Sequence, residues 1–228
     1  MKTEYLRGVA TALLGLLMTV PSYAAVIYDN GGPSVDNGIE ITCCIGADDF
    51  TITTVTTLRA VRFWDAERGS TYNGSITWSI YVDDPVNNQP GVLLFRGNQT
   101  AVTRVDLGTI EFQSIGHEEF QNDFSVGSVV LGPGKYWLGL HNGPLTKTSF
   151  SDNINWISAA DNPTATSKYD VAPFDTGGWT DWGEQQAFVL FDANPIPEPS
   201  MIVLVGVALA GLGFSRRTQR RTAFHHTA

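Results

Sequence analysis

Ser75-Ile76-Thr77-Trp78-Ser79-Ile80-Tyr81-Val82 decides the fold. Ile76, Trp78, Ile80 and Val82 fall on one side of an extended chain, and Ser75, Thr77, Ser79 and Tyr81 on the other. A period of two in β-branched and aromatic residues predicts a half-buried antiparallel strand. Outward from it, residues 54–64 and 92–100 follow the same grammar, with 83–91 as the loop before the second. Phe120, Phe124 and Val126 mark a further strand. Residues 135–141 point Tyr136, Leu138 and Leu140 inward after the turn Gly132-Pro133-Gly134. Residues 187–191 read as the closing strand, paired with a first strand at 26–28. Helical periodicity is almost absent between 25 and 192. Eight or more short strands separated by turn residues predict an all-β, antiparallel, jelly-roll-like sandwich, with a β-barrel as the alternative.

Both ends differ from this middle. Lys2 and Arg7 precede an apolar stretch, residues 8–20, and Pro21-Ser22-Tyr23-Ala24 supplies small residues for a cut between Ala24 and Ala25. These are the three parts of a secretory signal peptide, read by the export machinery and removed by signal peptidase. At the other end, Pro195-Ile196-Pro197-Glu198-Pro199-Ser200 leads into the uncharged run 201–214 and then Arg216, Arg217, Arg220 and Arg221. The run is shorter than the ~20 residues of a comfortable membrane span. The arginines favour insertion with the C-terminus held in the cytoplasm. The prolines disfavour helix ahead of the run and leave an extended segment open to a processing enzyme. The chain therefore divides into a signal peptide (1–24), a passenger (25–192), a tail (193–221) and a cytoplasmic remnant (222–228).

Pro197-Glu198-Pro199-Ser200, the short transmembrane helix and the arginine cluster together resemble the PEP-CTERM sorting tail of Gram-negative bacteria, also labelled the ice-binding protein C-terminal domain. The resemblance covers roughly residues 194–221. It implies processing by an exosortase near Pro197-Glu198-Pro199, transient inner-membrane insertion, and a final place at the cell surface or in the extracellular matrix. It also implies a setting of exopolysaccharide production, and says nothing of ice. Ala47-Asp48-Asp49-Phe50, Gln89-Pro90-Gly91-Val92-Leu93, residues 136–143 and residues 187–191 weakly resemble sandwich domains carried by such proteins.

The passenger holds eight Lys and Arg against 21 Asp and Glu, a net charge of −13. So acidic a surface repels phosphate backbones and argues against nucleic-acid partners. Its two histidines, His117 and His141, stand in no nucleophile elbow, phosphate loop or zinc-protease motif. The carboxylate pairs Asp48-Asp49, Asp83-Asp84 and Glu118-Glu119 are sequence neighbours, which point to opposite faces of a strand and so form no catalytic dyad. No catalytic residue is assigned. Calcium is the one cofactor considered, with Asp83, Asp84, Asn87 and Asn88 as candidate oxygen ligands; the same residues are also those a turn requires.

Trp179 and Trp182 stand in a Gly-rich loop as candidates for stacking on sugar rings, with Tyr72 and Trp156 as extensions; packing in the core is the competing role. Cys43 and Cys44 are adjacent. An exported protein meets an oxidising compartment, so a vicinal disulfide and two buried thiols are both open. A bridge would close a distorted ring, since neighbouring Cα atoms lie ~3.8 Å apart and ordinary disulfides span ~4.4–6.8 Å. If residues 39–45 form a strand, the two side chains also point apart. The expectation is an exported protein with a non-catalytic binding or structural sandwich, associated with extracellular polysaccharide. A secreted glycan hydrolase and a protein-binding adhesin are the other classes.

Overall fold

The computed structural model describes residues 24–69, 71–146, 148–149, 154–160 and 166–195. Its strands are β1 (Val26–Asp29), β2 (Pro33–Glu40), β3 (Cys44–Ile52), β4 (Thr56–Glu67), β5 (Ile76–Asp84), β6 (Gln89–Gln99), β7 (Val102–Phe112), β8 (Ile115–Leu131), β9 (Gly134–Asn142), β10 (Ile154–Ala159), β11 (Lys168–Val171), β12 (Thr180–Asp181) and β13 (Phe188–Phe191). The chain divides into two compact units, Met1–Pro195 and Ile196–Ala228. The second unit and the signal peptide up to residue 23 lie outside the described residues, so the transmembrane helix expected at 201–214 does too. Among the described residues, no helix is long and apolar enough to cross a membrane.

Two antiparallel sheets enclose one core. In the first, β4 is central: β8 runs along one side, while β13 and β10 lie end to end along the other. β7 extends the sheet beyond β8, β1 beyond β13 and β2 beyond β10. The second sheet has the order β12-β11-β3-β9-β5-β6. Phe63, Phe124, Trp156 and Phe188 of the first meet Phe50, Ile80 and Leu138 of the second in one buried cluster. This is the layering that alternating apolar strands require, since each sheet has a face to remove from water.

The first and last strands pair, Val26 opposite Phe191. Ala25 N donates to Asp192 Oδ1 at 2.7 Å, and Asp192 N to Ala25 O at 3.1 Å. The two residues that adjoin the signal peptide and the tail thus stand side by side.

Three local expectations need correction. The deciding strand β5 is buried on both faces: Ile76, Trp78 and Ile80 enter the core, while Thr77, Ser79 and Tyr81 are also covered. The segment after β11 lies over that outer face, where Tyr81 donates to Asp175 Oδ1 at 2.8 Å and meets Trp179 edge-on. Asp83 and Asp84 belong to β5 and residues 89–91 to β6, so the loop shrinks to residues 85–88. Residues 39–45 are no single strand. Glu40 ends β2, its carboxylate accepts from Thr42 N (2.7 Å) and Cys43 N (2.8 Å), and β3 starts only at Cys44.

The β7–β8 hairpin turns on Gln113 and Ser114, both left-handed with φ of 51° and 65°. Such a two-residue turn favours glycine, because a Cβ in this region costs ~1–2 kcal/mol. Ser114→Gly is therefore expected to raise Tm by about 2–4 °C in a scanning calorimeter, the shift that ~1 kcal/mol produces in a domain of this size.

Candidate functional site

Between the edge strand β2 of one sheet and β11 of the other, beside the short edge strand β12, opens a concavity of about 590 Å³. That size lies in the range of small-molecule sites. Its lining includes Cys43, Cys44, Tyr169 and Trp182. Glu40, Arg68, Gln113 and Asn155 add polar groups. The strands and their ends set these residues. Tyr169 of β11 sits opposite Gly46 of β3, and Asn155 of β10 opposite Glu40 of β2. Trp182 follows β12, is held by its N–H to Ser167 O at 3.0 Å, and meets Tyr169 edge-on at 6.1 Å. Its Nε1 has no acceptor among the described residues.

Cys43 and Cys44 are joined in a disulfide, with Cα atoms 3.7 Å apart. The Glu40 cap places Cys43 in a turn, so strand alternation does not send the two side chains to opposite faces, and both line the concavity. Glu40, Cys43 and Cys44 also bring a carboxylate oxygen and two sulfurs within 4.8 Å of one another, although the sulfurs bond each other.

Trp179 and Trp182 do not form one platform. They lie three residues apart about the short strand β12 and point to opposite sides, as extended chain requires. Trp179 packs on Ala47, Tyr81 and Trp137 outside the second sheet, while Trp182 packs against the main core beside the concavity. Trp156 is a core residue, and the Tyr72 ring is covered by Arg104 at 4.3 Å, so neither extends a sugar platform.

The four candidate calcium ligands are engaged within the fold. Asp84 accepts from Val86 N and from Asn87 Nδ2, bonds that hold its carboxyl below the usual range. Asp83 accepts from Trp137 Nε1 at 2.8 Å. Lys135 Nζ donates to Asn88 Oδ1 at 2.7 Å and stands 3.5 Å from Asp83 and 3.4 Å from Asp49. A lysine ammonium thus already sits among these oxygens.

Two further polar clusters are buried. Asp48 faces inward, accepts from Asn30 Nδ2 at 2.9 Å and from the Asp49 and Gln186 backbone, and is pushed to a higher pKa chiefly by burial. Asp49 faces the other way, toward Lys135. At the end of β4, Asp65 and Glu67 share one cation, Arg104, which is stacked between Tyr72 and Phe120. Asn122 Nδ2 donates to Asp65 at 2.7 Å. Burial first, and then the neighbouring Glu67 charge, raise the Asp65 pKa to about 8 against the lowering pull of Arg104. The sequence concealed this cluster because its partners come from β4, β7 and β8.

Of the remaining expected site residues, Ala25 immediately precedes β1, with Ala24 packed against Ala60, Val189 and Phe191. Pro197, Glu198, Pro199, Ser200, Arg216, Arg217, Arg220 and Arg221 lie outside the described residues.

The chain carries a PEP-CTERM protein-sorting motif: the family model of that motif matches residues 195–217. The motif marks an exported protein processed by an exosortase through a membrane-anchored intermediate. No curated protein and no solved structure matches the chain.

Proposed function

We propose that the protein is a surface or matrix component whose sandwich binds extracellular polysaccharide without chemically altering it. The observation that carries this reading is the concavity: an aromatic and disulfide wall beside a few polar groups, on a cargo whose sorting motif starts at Pro195. Saccharides ask for this combination, because their C–H faces stack on flat apolar surfaces while their hydroxyls seek hydrogen-bond partners. Non-catalytic binding is favoured over hydrolysis by the carboxylate inventory. Glu40 is the one carboxylate among the lining residues, and both its oxygens accept backbone N–H groups. Glycoside hydrolysis usually needs two carboxylates about 5–10 Å apart across the bond.

The test is a glycan array probed with the mature protein, with and without calcium. Selective binding that calcium leaves unchanged is expected, because Lys135 stands among the oxygens of the residue 83–88 turn. Binding that appears only with calcium would instead make that turn a metal site. Absence of binding on every glycan would leave a structural or protein-binding role.

A further inference from the structure

We propose that the glycan site is the concavity between β2 and β11, with Trp182 as the surface against which a sugar ring packs and the Cys43–Cys44 ring in its floor; this rests on the polysaccharide-binding reading above. The loop tryptophans stand apart in the fold and cannot act as one platform. Trp179 is committed to Tyr81 and Trp137 on the outer face of the second sheet. Trp182 alone lines an open concavity, and it is only partly buried there.

The disulfide closes the floor of the concavity. The two adjacent side chains lie on one side of the chain, each only 5 % exposed, and form a compact apolar floor to the concavity. Neither sulfur is a strong hydrogen-bond partner, so the floor leaves the sugar hydroxyls to other groups. Those groups stand in the same lining. Asn155 offers an amide, and Arg68 a guanidinium.

Arg68 is informative because of how the other cations are used. Arg62, Arg96, Arg104, Lys135 and Lys168 each pair with a carboxylate. Arg59 and Arg68 make no ion pair among the described residues, and of the two only Arg68 lines the concavity, where it is exposed. In a passenger with net charge −13, a cation left unpaired in the concavity that Trp182 also lines is available to ligand oxygens. The ligand class that fits is a pyranose chain whose hydroxyl or carboxylate oxygens reach Arg68 while one ring lies on Trp182.

Affinity electrophoresis of the mature protein tests the site, in gels that each carry one polysaccharide: a neutral β-glucan, a mannan, or alginate as a uronic-acid polymer. Retardation in at least one gel is expected. In that gel, Trp182→Ala should raise Kd at least tenfold and Trp179→Ala should change it less than twofold. Trp182 also packs on the core, so Arg68→Ala is the companion variant. Arg68 is exposed, and its loss should raise Kd about fivefold with Tm unchanged. Binding lost with Trp179→Ala but kept in Trp182→Ala and Arg68→Ala would overturn the site while sparing the binding reading. Retardation in none of the three gels would count against both.

Discussion

Trp156→Ala is expected to destabilise the domain by about 3–5 kcal/mol, the range for deleting a buried aromatic side chain. Trp156 has no exposed surface and lies edge-on to Phe63 at 6.4 Å and to Phe188 at 5.8 Å. Its Nε1 donates to Ala187 O at 2.8 Å, which ties β10 to the approach of β13. β10 itself pairs with β2 on one side and β4 on the other. The substitution thus opens a cavity where three strands meet and leaves the Ala187 carbonyl without that donor. Urea unfolding followed by circular dichroism reads the effect as a lower midpoint. A variant within 1 kcal/mol of wild type would contradict this placement of the core, since losses of ~3 kcal/mol or more are usual for such sites.

Arg104→Ala should be as damaging, with a dependence on pH that a cavity does not have. Removing the one cation shared by Asp65 and Glu67 leaves any negative charge on this buried pair uncompensated, a change that typically costs ~3–5 kcal/mol where the pair is ionised. Asp65 already titrates near 8 in the fold, well above its ordinary 3.8. Between those values the folded state holds a proton that the unfolded state has released. Stability is therefore full below about pH 4 and falls as pH rises toward 8, by at most ~1.4 kcal/mol per pH unit for one group. Asp48 and Glu67 are shifted the same way, chiefly by burial, and add to the slope. Wild type should then unfold at higher urea at pH 5 than at pH 8, and Asp65→Asn should flatten part of that difference. The deficit of Arg104→Ala should widen with rising pH, because the lost cation favoured the ionised forms. Equal midpoints for wild type at the two pH values would be inconsistent with a buried carboxyl at Asp65.

What the sequence made legible follows from how cleanly its residues alternate. β5, β9 and β13 read directly because Ile, Trp, Leu and Phe alternate there or run together without interruption. β8 was legible only around Phe120, Phe124 and Val126 and β7 not at all, since Arg104, Asp106, Glu111, Glu119 and Asp123 interrupt the period, and Gln113-Ser114 lacks the glycine that announces such a turn. β2 was hidden by Asn37-Gly38, a pair that ordinarily signals a hairpin. The glycine has a different task here: a Cβ at Gly38 would come within 2.5 Å of the Trp156 carbonyl oxygen, so the close approach of β10 requires it.

The site was legible only in pieces. Trp182, Cys43 and Cys44 each stood out by residue type, yet they are separated by some 140 positions, and only the pairing of β11 with β3 brings them to one concavity. Trp179 stood out equally and went elsewhere, because a strand turns residues three apart to opposite sides. Arg68 carried no signal at all, since only the folded chain shows that it lines the concavity and makes no ion pair among the described residues.

The most direct measurement is calorimetric titration of the mature protein with exopolysaccharide isolated from the cells that export it. Saturable heat, abolished by Trp182→Ala and retained by Trp179→Ala, is the expected result. Dilution heats alone, from a wild-type protein shown to be folded, would contradict a polysaccharide-binding role.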